Sequence, residues 1–364
     1  MNILFINSIQ MFGGGEVWLF RMMRALSSRG HRLYLLCRPG VPLEIKARDE
    51  GFNVFTVRMR GDLDPISIFY TYRLIRKIRA QVVCTNMDKE LRFGGLAARI
   101  AGVKAVIPRR GIDYPLKNTW AYRWSYTRLA HGIIANSNST RQALLRNSPW
   151  LNPDHIQVIY NGVDPSRFSG QSDGFLRKTL SIHENAVILG FVGQLDERKG
   201  VESLIRAFCR VALKNNSVHL MLVGEGPLKT RLEKISGKFR NRVHFTGFRN
   251  DIENVMKTID VLVLPSLWEG FGIVLIEAMA AGKPVITTKI SNMPEIVSHL
   301  KDGLLVPPSD DSALADAMML LIKNQAMRKK MGIRGRQKVM RQFTLKRMAD
   351  ETEAYFMKFL SGTE

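Results

Sequence analysis

The sequence predicts an α/β protein made of two successive doubly wound, Rossmann-like parallel-sheet domains, and three observations carry that prediction. At 364 residues the chain exceeds the usual size of a single domain. Short apolar strand-like runs alternate with amphipathic segments, as expected of βα units feeding a parallel sheet. The alternation stops and restarts around residues 160–172, where Asn161, Gly162, Asp164, Pro165 and several small polar residues cluster. The predicted organisation is an N-terminal domain over 1–165, a second domain over 166–345, and a C-terminal helix over 346–364 that packs back across the junction.

In the first half the strand-like runs are NILFIN, RLYLLC, FNVFTV, QVVCTN, AVIPRR and GIIANS, and EVWLFRMMRALSSRG is the clearest helix. In the second half the strands are AVILGFVG, VHLMLVGEG, VHFTGF, DVLVLPS, KPVITT and GLLVPP. The segments between them, such as VESLIRAFCRVALKNN and GIVLIEAMAAG, carry helical periodicity, and TLKRMADETEAYFMKFL closes the chain as an amphipathic helix. In open sheets of this kind ligands bind outside the carboxyl ends of the strands. The loops that follow strands are therefore where functional residues are expected.

Composition is that of a globular protein, with 45% hydrophobic residues. The opening MNILFINSIQ lacks a basic leader and a cleavage site, and no apolar run reaches the roughly 18 residues that span a bilayer, so a cytoplasmic location is expected. Cys37, Cys84 and Cys209 form no CxxC pair and read as reduced core residues. The formal charge is +22, split as +13 over 1–165 and +9 over the remainder. No zinc-finger, RRM-like or helix-turn-helix pattern accompanies it, so an anionic membrane or anionic substrates are expected as partners, and nucleic acid is not.

Four loops stand out. After the first strand, QMFGGGEVW removes side chains at Gly13, Gly14 and Gly15 just before a helix, so backbone N–H groups there can approach an anion; an ordinary flexible turn is the plain alternative. In GFVGQLDERKG, Arg198 and Lys199 precede a helix starting at Val201, a placement suited to a diphosphate, with a solvated surface pair as the plain alternative. LVGEGPLKTRLE places Gly224, Glu225 and Gly226 ahead of a helix starting at Pro227. In PSLWEGFGIVLIEAMAAGKPVI, Glu269 lies in the loop and Glu277 about one turn into an apolar helix, on either side of unbonded N–H groups near Gly272, Ile273 and Val274. Carboxylates among so many apolar neighbours require polar partners, and sugar hydroxyls beside a phosphate would supply them. No His/Cys cluster or aspartate-rich motif indicates a metal site.

The EGFGIVLIE spacing, followed by AMAAGKPVI and PEIV, resembles the signature of retaining family-4 glycosyltransferases with the GT-B fold, and GGGE, IIANSNST, VIYNGVD, GQLDERKG, LVGEGP and FTGF extend the likeness over most of the chain. The resemblance implies two Rossmann-like domains facing across a cleft, the second binding a nucleoside-diphosphate sugar and the first the acceptor. It implies that Arg198 and Lys199 hold the diphosphate, Glu277 accepts the ribose hydroxyls, Glu269 faces the transferred sugar, and Gly272, Ile273 and Val274 cap a phosphate. Phe248 and Arg249 would border the base, while Gly193 and Gly224 line the donor loops and Gly14 and Gly15 close onto the donor from the first domain.

Two departures accompany the likeness. Gly193-Gln194 stands where the family commonly has Gly-Arg, leaving Arg198 as the candidate substitute, and Arg109 and Arg110 occupy the neighbourhood of a histidine that in many relatives faces the sugar. With Asp113 they are the acceptor-side candidates. The implied activity is retaining transfer, without a metal, from a UDP-sugar first of all, with GDP- or ADP-sugars also open, to a lipid-linked or glycan acceptor in bacterial lipopolysaccharide or exopolysaccharide synthesis. A sugar-nucleotide epimerase and a non-catalytic basic adaptor are the competing readings.

The surplus charge suggests peripheral docking on the cytoplasmic face of a membrane. SIFYTYRLIRKIRA, with Arg73, Arg76, Lys77 and Arg79, and YPLKNTWAYRWSYTRLA, with Trp120, Arg123, Trp124 and Arg128, combine basic with aromatic and aliphatic residues. The plain alternative is that the apolar side of each is core and the charges are solvated.

Overall fold

The computed structural model describes residues 1–362, which divide into two compact units, Met1–Asn161 with Leu345 onward, and Gly162–Thr344. The chain thus leaves the first unit a few residues before the expected 165.

In the first unit the six apolar runs form parallel strands β1 (Asn2–Asn7), β2 (Arg32–Cys37), β3 (Asn53–Thr56), β4 (Val82–Thr85), β5 (Ala105–Arg110) and β6 (Ile133–Ala135). A seventh strand, β7 (Ile156–Val158), pairs with β6 and was not predicted. The order β3-β2-β1-β4-β5-β6-β7 reverses direction between β1 and β4, which places the ligand crevice of a doubly wound sheet at the carboxyl ends of those strands. Alternate side chains of β1 serve opposite faces: Ile3 and Phe5 pack with Trp18 and Leu19, whereas Leu4 and Ile6 pack with Phe93 and Leu91. Both faces are covered, so the strands are apolar throughout, and each buried Leu, Ile or Phe contributes about 1.5–3 kcal/mol.

The final helix, Leu345–Leu360, is built into the first of these cores through Met348, Ala349, Tyr355 and Phe356. The Tyr355 hydroxyl accepts from the Ile133 N–H at 3.1 Å and donates to the His155 carbonyl at 2.8 Å, fixing the helix to the start of β6 and the approach to β7.

In the second unit the parallel strands β8 (Val187–Val192), β9 (Val218–Val223), β10 (Val243–Gly247), β11 (Val261–Leu264), β12 (Val285–Thr288) and β13 (Gly303–Val306) run in the order β10-β9-β8-β11-β12-β13. The reversal here falls between β8 and β11. Helices Val201–Lys214 and Ile273–Ala280 follow those two strands. The helix expected to start at Pro227 begins at Lys229, two residues later, behind the Leu228 cap.

Candidate functional site

The carboxyl end of β8 runs into Gly193-Gln194-Leu195-Asp196 and a tight turn, Glu197–Lys199, whose Asp196 carboxylate accepts from the Lys199 N–H at 3.3 Å. Gly200, at φ +63°, then opens the helix from Val201. Two backbone bonds fasten this loop to the one after β11, because the Leu267 and Trp268 N–H groups both donate to the Arg198 carbonyl, at 2.7 and 3.3 Å. A Cβ on Gly200 would lie 2.1 Å from the Pro265 carbonyl oxygen, so only glycine allows the approach.

The approach brings together two predicted residues 70 positions apart: the Lys199 ammonium donates to Glu269 Oε2 at 2.5 Å. Glu269 is held further by the Gly270 N–H at 3.1 Å and by the Ser266 hydroxyl at 3.4 Å. Arg198, by contrast, is exposed and is claimed by Asp196, with its Nη2 at 2.6 Å and Nε at 3.1 Å from Oδ2. Its guanidinium also lies 5.8 Å from the Trp268 ring centroid.

The loop after β9 closes onto the same place. Gly224, at φ +132°, would carry a Cβ 2.0 Å from the Gly193 carbonyl, and the Leu195 N–H donates to the Glu225 carbonyl at 2.9 Å. The Gly224 N–H donates to the Gly247 carbonyl at 2.8 Å, which draws in the loop carrying Phe248 and Arg249. Phe248 is exposed, and Arg249 forms a two-point pair with Asp251 at 2.8 and 2.7 Å. After β11, Gly272 takes a left-handed conformation and caps the helix whose first residues are Ile273 and Val274, with Glu277 buried one turn in. That helix start is held in place by the Asn292 amide, which donates to the Phe271 carbonyl at 3.0 Å. Lys199, Glu269, Gly193 and Gly224 thus belong to one laced set of strand-end loops.

In the first unit Gly13 caps helix Gly14–Ser27, and the buried Glu16 accepts from the Gly13 N–H and from the Asn7 amide, both at 2.9 Å. A Cβ on Gly15 would sit 3.0 Å from Asn86 Nδ2, whereas one on Gly14 would meet nothing within 4 Å, so packing in this unit does not explain a glycine at 14. Of the acceptor-side candidates, Arg109 is only 3% exposed. It donates to Asn86 at 3.1 Å and Asn161 at 3.0 Å and stacks 4.2 Å above the Trp18 ring, and burial pushes its pKa down to about 10. Arg110 pairs with Asp88 at 2.7 Å, and Asp88 also accepts from the Tyr126 hydroxyl. Asp113 is half-buried in the loop after β5.

Beside them Glu90, wholly buried, accepts the N–H groups of Ser8, Asn86 and Met87 at 2.5, 2.6 and 2.9 Å, and burial raises its carboxyl to about 7. Asn86, Asn161 and Trp18, which hold Arg109, and the buried Glu90 beside them were not singled out by motif reading. Among the described residues no group of three or more His, Cys, Asp or Glu could hold a metal ion, and no helix is long and apolar enough to cross a membrane.

Two Rossmann-like parallel-sheet units are the architecture of the GT-B class, and family models cover both halves. Residues 12–167 match Glycosyltransferase Family 4, and residues 173–338 match Glycosyl transferases group 1. The chain belongs to the family-4 glycosyltransferases of GT-B fold. An uncharacterized glycosyltransferase of Methanocaldococcus jannaschii is 31% identical over 60% of this chain, and the match spans only 58% of that relative's length. The Escherichia coli UDP-Gal:alpha-D-GlcNAc-diphosphoundecaprenol alpha-1,3-galactosyltransferase is 28% identical over 80% of each chain. Among solved structures, Anabaena HepE in complex with UDP aligns with a TM-score of 0.87 at 22% identity, over 98% of this chain and 100% of that one, a likeness of fold.

Proposed function

We propose that the protein transfers a sugar, with retention of anomeric configuration, from a nucleoside-diphosphate sugar, UDP-linked first of all, to a hydroxyl of a lipid-linked or glycan acceptor. The product would be a bacterial cell-surface polysaccharide, and the enzyme would work at the cytoplasmic face of the membrane. The observation that carries this reading is the Lys199–Glu269 pair at 2.5 Å, set among glycine-built loops next to a helix start that buries Glu277. The E. coli relative, whose printed name includes a UDP-linked sugar and a diphosphoundecaprenol-linked acceptor, supports both substrate classes.

In this mechanism the bond from the anomeric carbon to the diphosphate oxygen breaks, and its electron pair stays on the phosphate. The acceptor hydroxyl oxygen bonds to the same face of that carbon, and its proton passes to the departing phosphate oxygen. Lys199, the helix start at Ile273 and, from the rim, Arg198 offset the charge that develops on the diphosphate. Glu277 accepts ribose hydroxyls, and Glu269, tethered by Lys199, faces the sugar. Gly14, whose Cβ position is open, leaves the backbone at its own helix start accessible to an anionic group. The acceptor side is the loop after β5 with Arg110 and Asp113, and Arg109 acts from beneath it.

Thermal denaturation with UDP-, GDP- and ADP-sugars tests the donor, since ligand at ~100 times its Kd adds about 2.7 kcal/mol. Slow donor hydrolysis tests catalysis, and the anomer released tests retention. No stabilisation by any donor, with no hydrolysis, would refute the proposal. Conversion of the labelled sugar nucleotide to its epimer would assign a different enzyme.

A further inference from the structure

The helix Pro65–Ile78 has already filled its inward face: Ser67, Thr71, Leu74, Ile75 and Ile78 are buried, and the three aliphatic residues belong to the core. That accounts for the apolar residues of its C-terminal half without any partner. It does not account for the outward face. Ile66, Phe69 and Tyr70 are exposed there, Ile66 and Phe69 at 67% and 60%, and Leu63 is exposed just ahead of the helix. Continuing along the same face, Arg73, Arg76 and Lys77 are exposed as well. Residues 66, 69, 70, 73 and 77 follow helical spacing, so the outward stripe is apolar at the start of the helix and cationic toward its end.

A second segment lies beside it. Arg92 pairs with Asp62 at 2.6 Å just ahead of the helix, and its guanidinium lies 5.1 Å from the ring centroid of Tyr122 in helix Trp120–Trp124. Trp120, 76% exposed and stacked on Trp124, belongs to that same short helix, two residues from Tyr122, with Arg123 exposed next to it. The acidic residues nearby are occupied: Asp62 by Arg92, and Asp64 by the Ser67 hydroxyl and the Ile66 N–H at the helix cap. Cations that pair with no acidic side chain among the described residues, beside exposed aromatic and aliphatic side chains, match an anionic bilayer, with headgroups meeting the charges and the acyl boundary meeting the rings.

We propose that this flank is the membrane-docking surface, with Ile66 and Phe69 entering the interface and Arg73, Arg76 and Lys77 engaging anionic headgroups. The proposal rests on the lipid-linked acceptor of the preceding reading and assigns the attachment to named side chains. Full-length protein is sedimented with phosphatidylcholine or phosphatidylglycerol-rich vesicles at low and high salt, and donor hydrolysis is measured in parallel. Binding only to the anionic vesicles, reversed by salt, is the expected result. Ile66→Ser/Phe69→Ser should weaken it on the order of 10-fold to 100-fold through lost apolar burial, with hydrolysis unchanged. Arg73→Gln/Arg76→Gln/Lys77→Gln should weaken it on the order of 100-fold, at about 1 kcal/mol per charge.

Equal binding to neutral vesicles, or wild-type binding by the Ile66→Ser/Phe69→Ser variant, would overturn the proposal. So would a concentration-dependent dimer that this variant abolishes, because the surface would then serve a second copy of the chain. Absence of donor hydrolysis in the wild type would count against the transferase reading alone, since the vesicle assay does not depend on turnover.

Discussion

Replacing Gly200 with alanine would separate two loops that the structure holds together. The added Cβ would start 2.1 Å from the Pro265 carbonyl oxygen and 3.1 Å from its carbon, both backbone atoms that cannot rotate aside. Ordinary contact begins at 3.4 Å, so the loops must part by about 1.3 Å, the difference between 3.4 and 2.1. That movement strains the 2.7 Å bond from Leu267 N–H to the Arg198 carbonyl and the 2.5 Å bond from Lys199 to Glu269. A misplacement of about 1 Å can cost on the order of 100-fold in rate, which is the loss expected in kcat. The left-handed φ of +63° adds about 1–2 kcal/mol to the folding cost, and overpacking about 1–3 kcal/mol more. Gly282→Ala separates the two causes, since its φ is +71° but its Cβ meets nothing within 4 Å. The assay is donor turnover by both variants, with thermal unfolding as a check on folding. If Gly200→Ala loses no more turnover than Gly282→Ala, the close approach of the loops does not set the site's geometry.

Lys199→Ala should lower turnover roughly 100-fold to 1000-fold in steady-state assays, and Arg198→Ala less, because Arg198 is exposed and already paired with Asp196. Equal losses would mean that Arg198 changes partner when donor binds. Glu277→Ala should weaken donor binding by roughly 1.5–3 kcal/mol in calorimetry, whereas Glu269→Gln should lower kcat more than affinity; unchanged affinity in the first would remove its ribose role. Glu90 gives a pH dependence. Burial lifts its carboxyl from 4.5 to about 7, so its contribution to stability is complete below about 4.5 and is lost as pH rises through 7. Glu90→Gln should therefore gain on the wild type, by at most about 3 kcal/mol, in melts taken across that range. A wild type that gains instead would show that the three backbone N–H donors outweigh burial.

Much of the fold was legible because parallel strands covered on both faces are apolar throughout: VLVL at β11 and NILFIN at β1 need no context to be recognised. β7 escaped because Ile156–Val158 is three residues at a sheet edge, with Gln157 exposed, and is defined by pairing with β6. The residues proposed for the donor side were legible as types at a spacing. That Lys199 meets Glu269 was not, since the contact depends on Gly200 passing under Pro265, a property of two loops whose closeness only the sheet decides. Arg109 was placed at the right strand end but expected to face the acceptor. Its depth follows from Asn86, Asn161 and Trp18, three residues distant in sequence that a motif does not connect to it.

The helix Leu345–Leu360 belongs to the core that opens the chain, with Tyr355 bonded to Ile133 and Phe356 packed beside residues of β1 and β2. During synthesis the whole of Gly162–Thr344 is made before that helix exists. The second unit, though later in the sequence, contains all of its own strands, whereas the core of the first is incomplete without Met348, Ala349, Tyr355 and Phe356. Completion of the first core therefore requires a segment translated after every strand of the second unit.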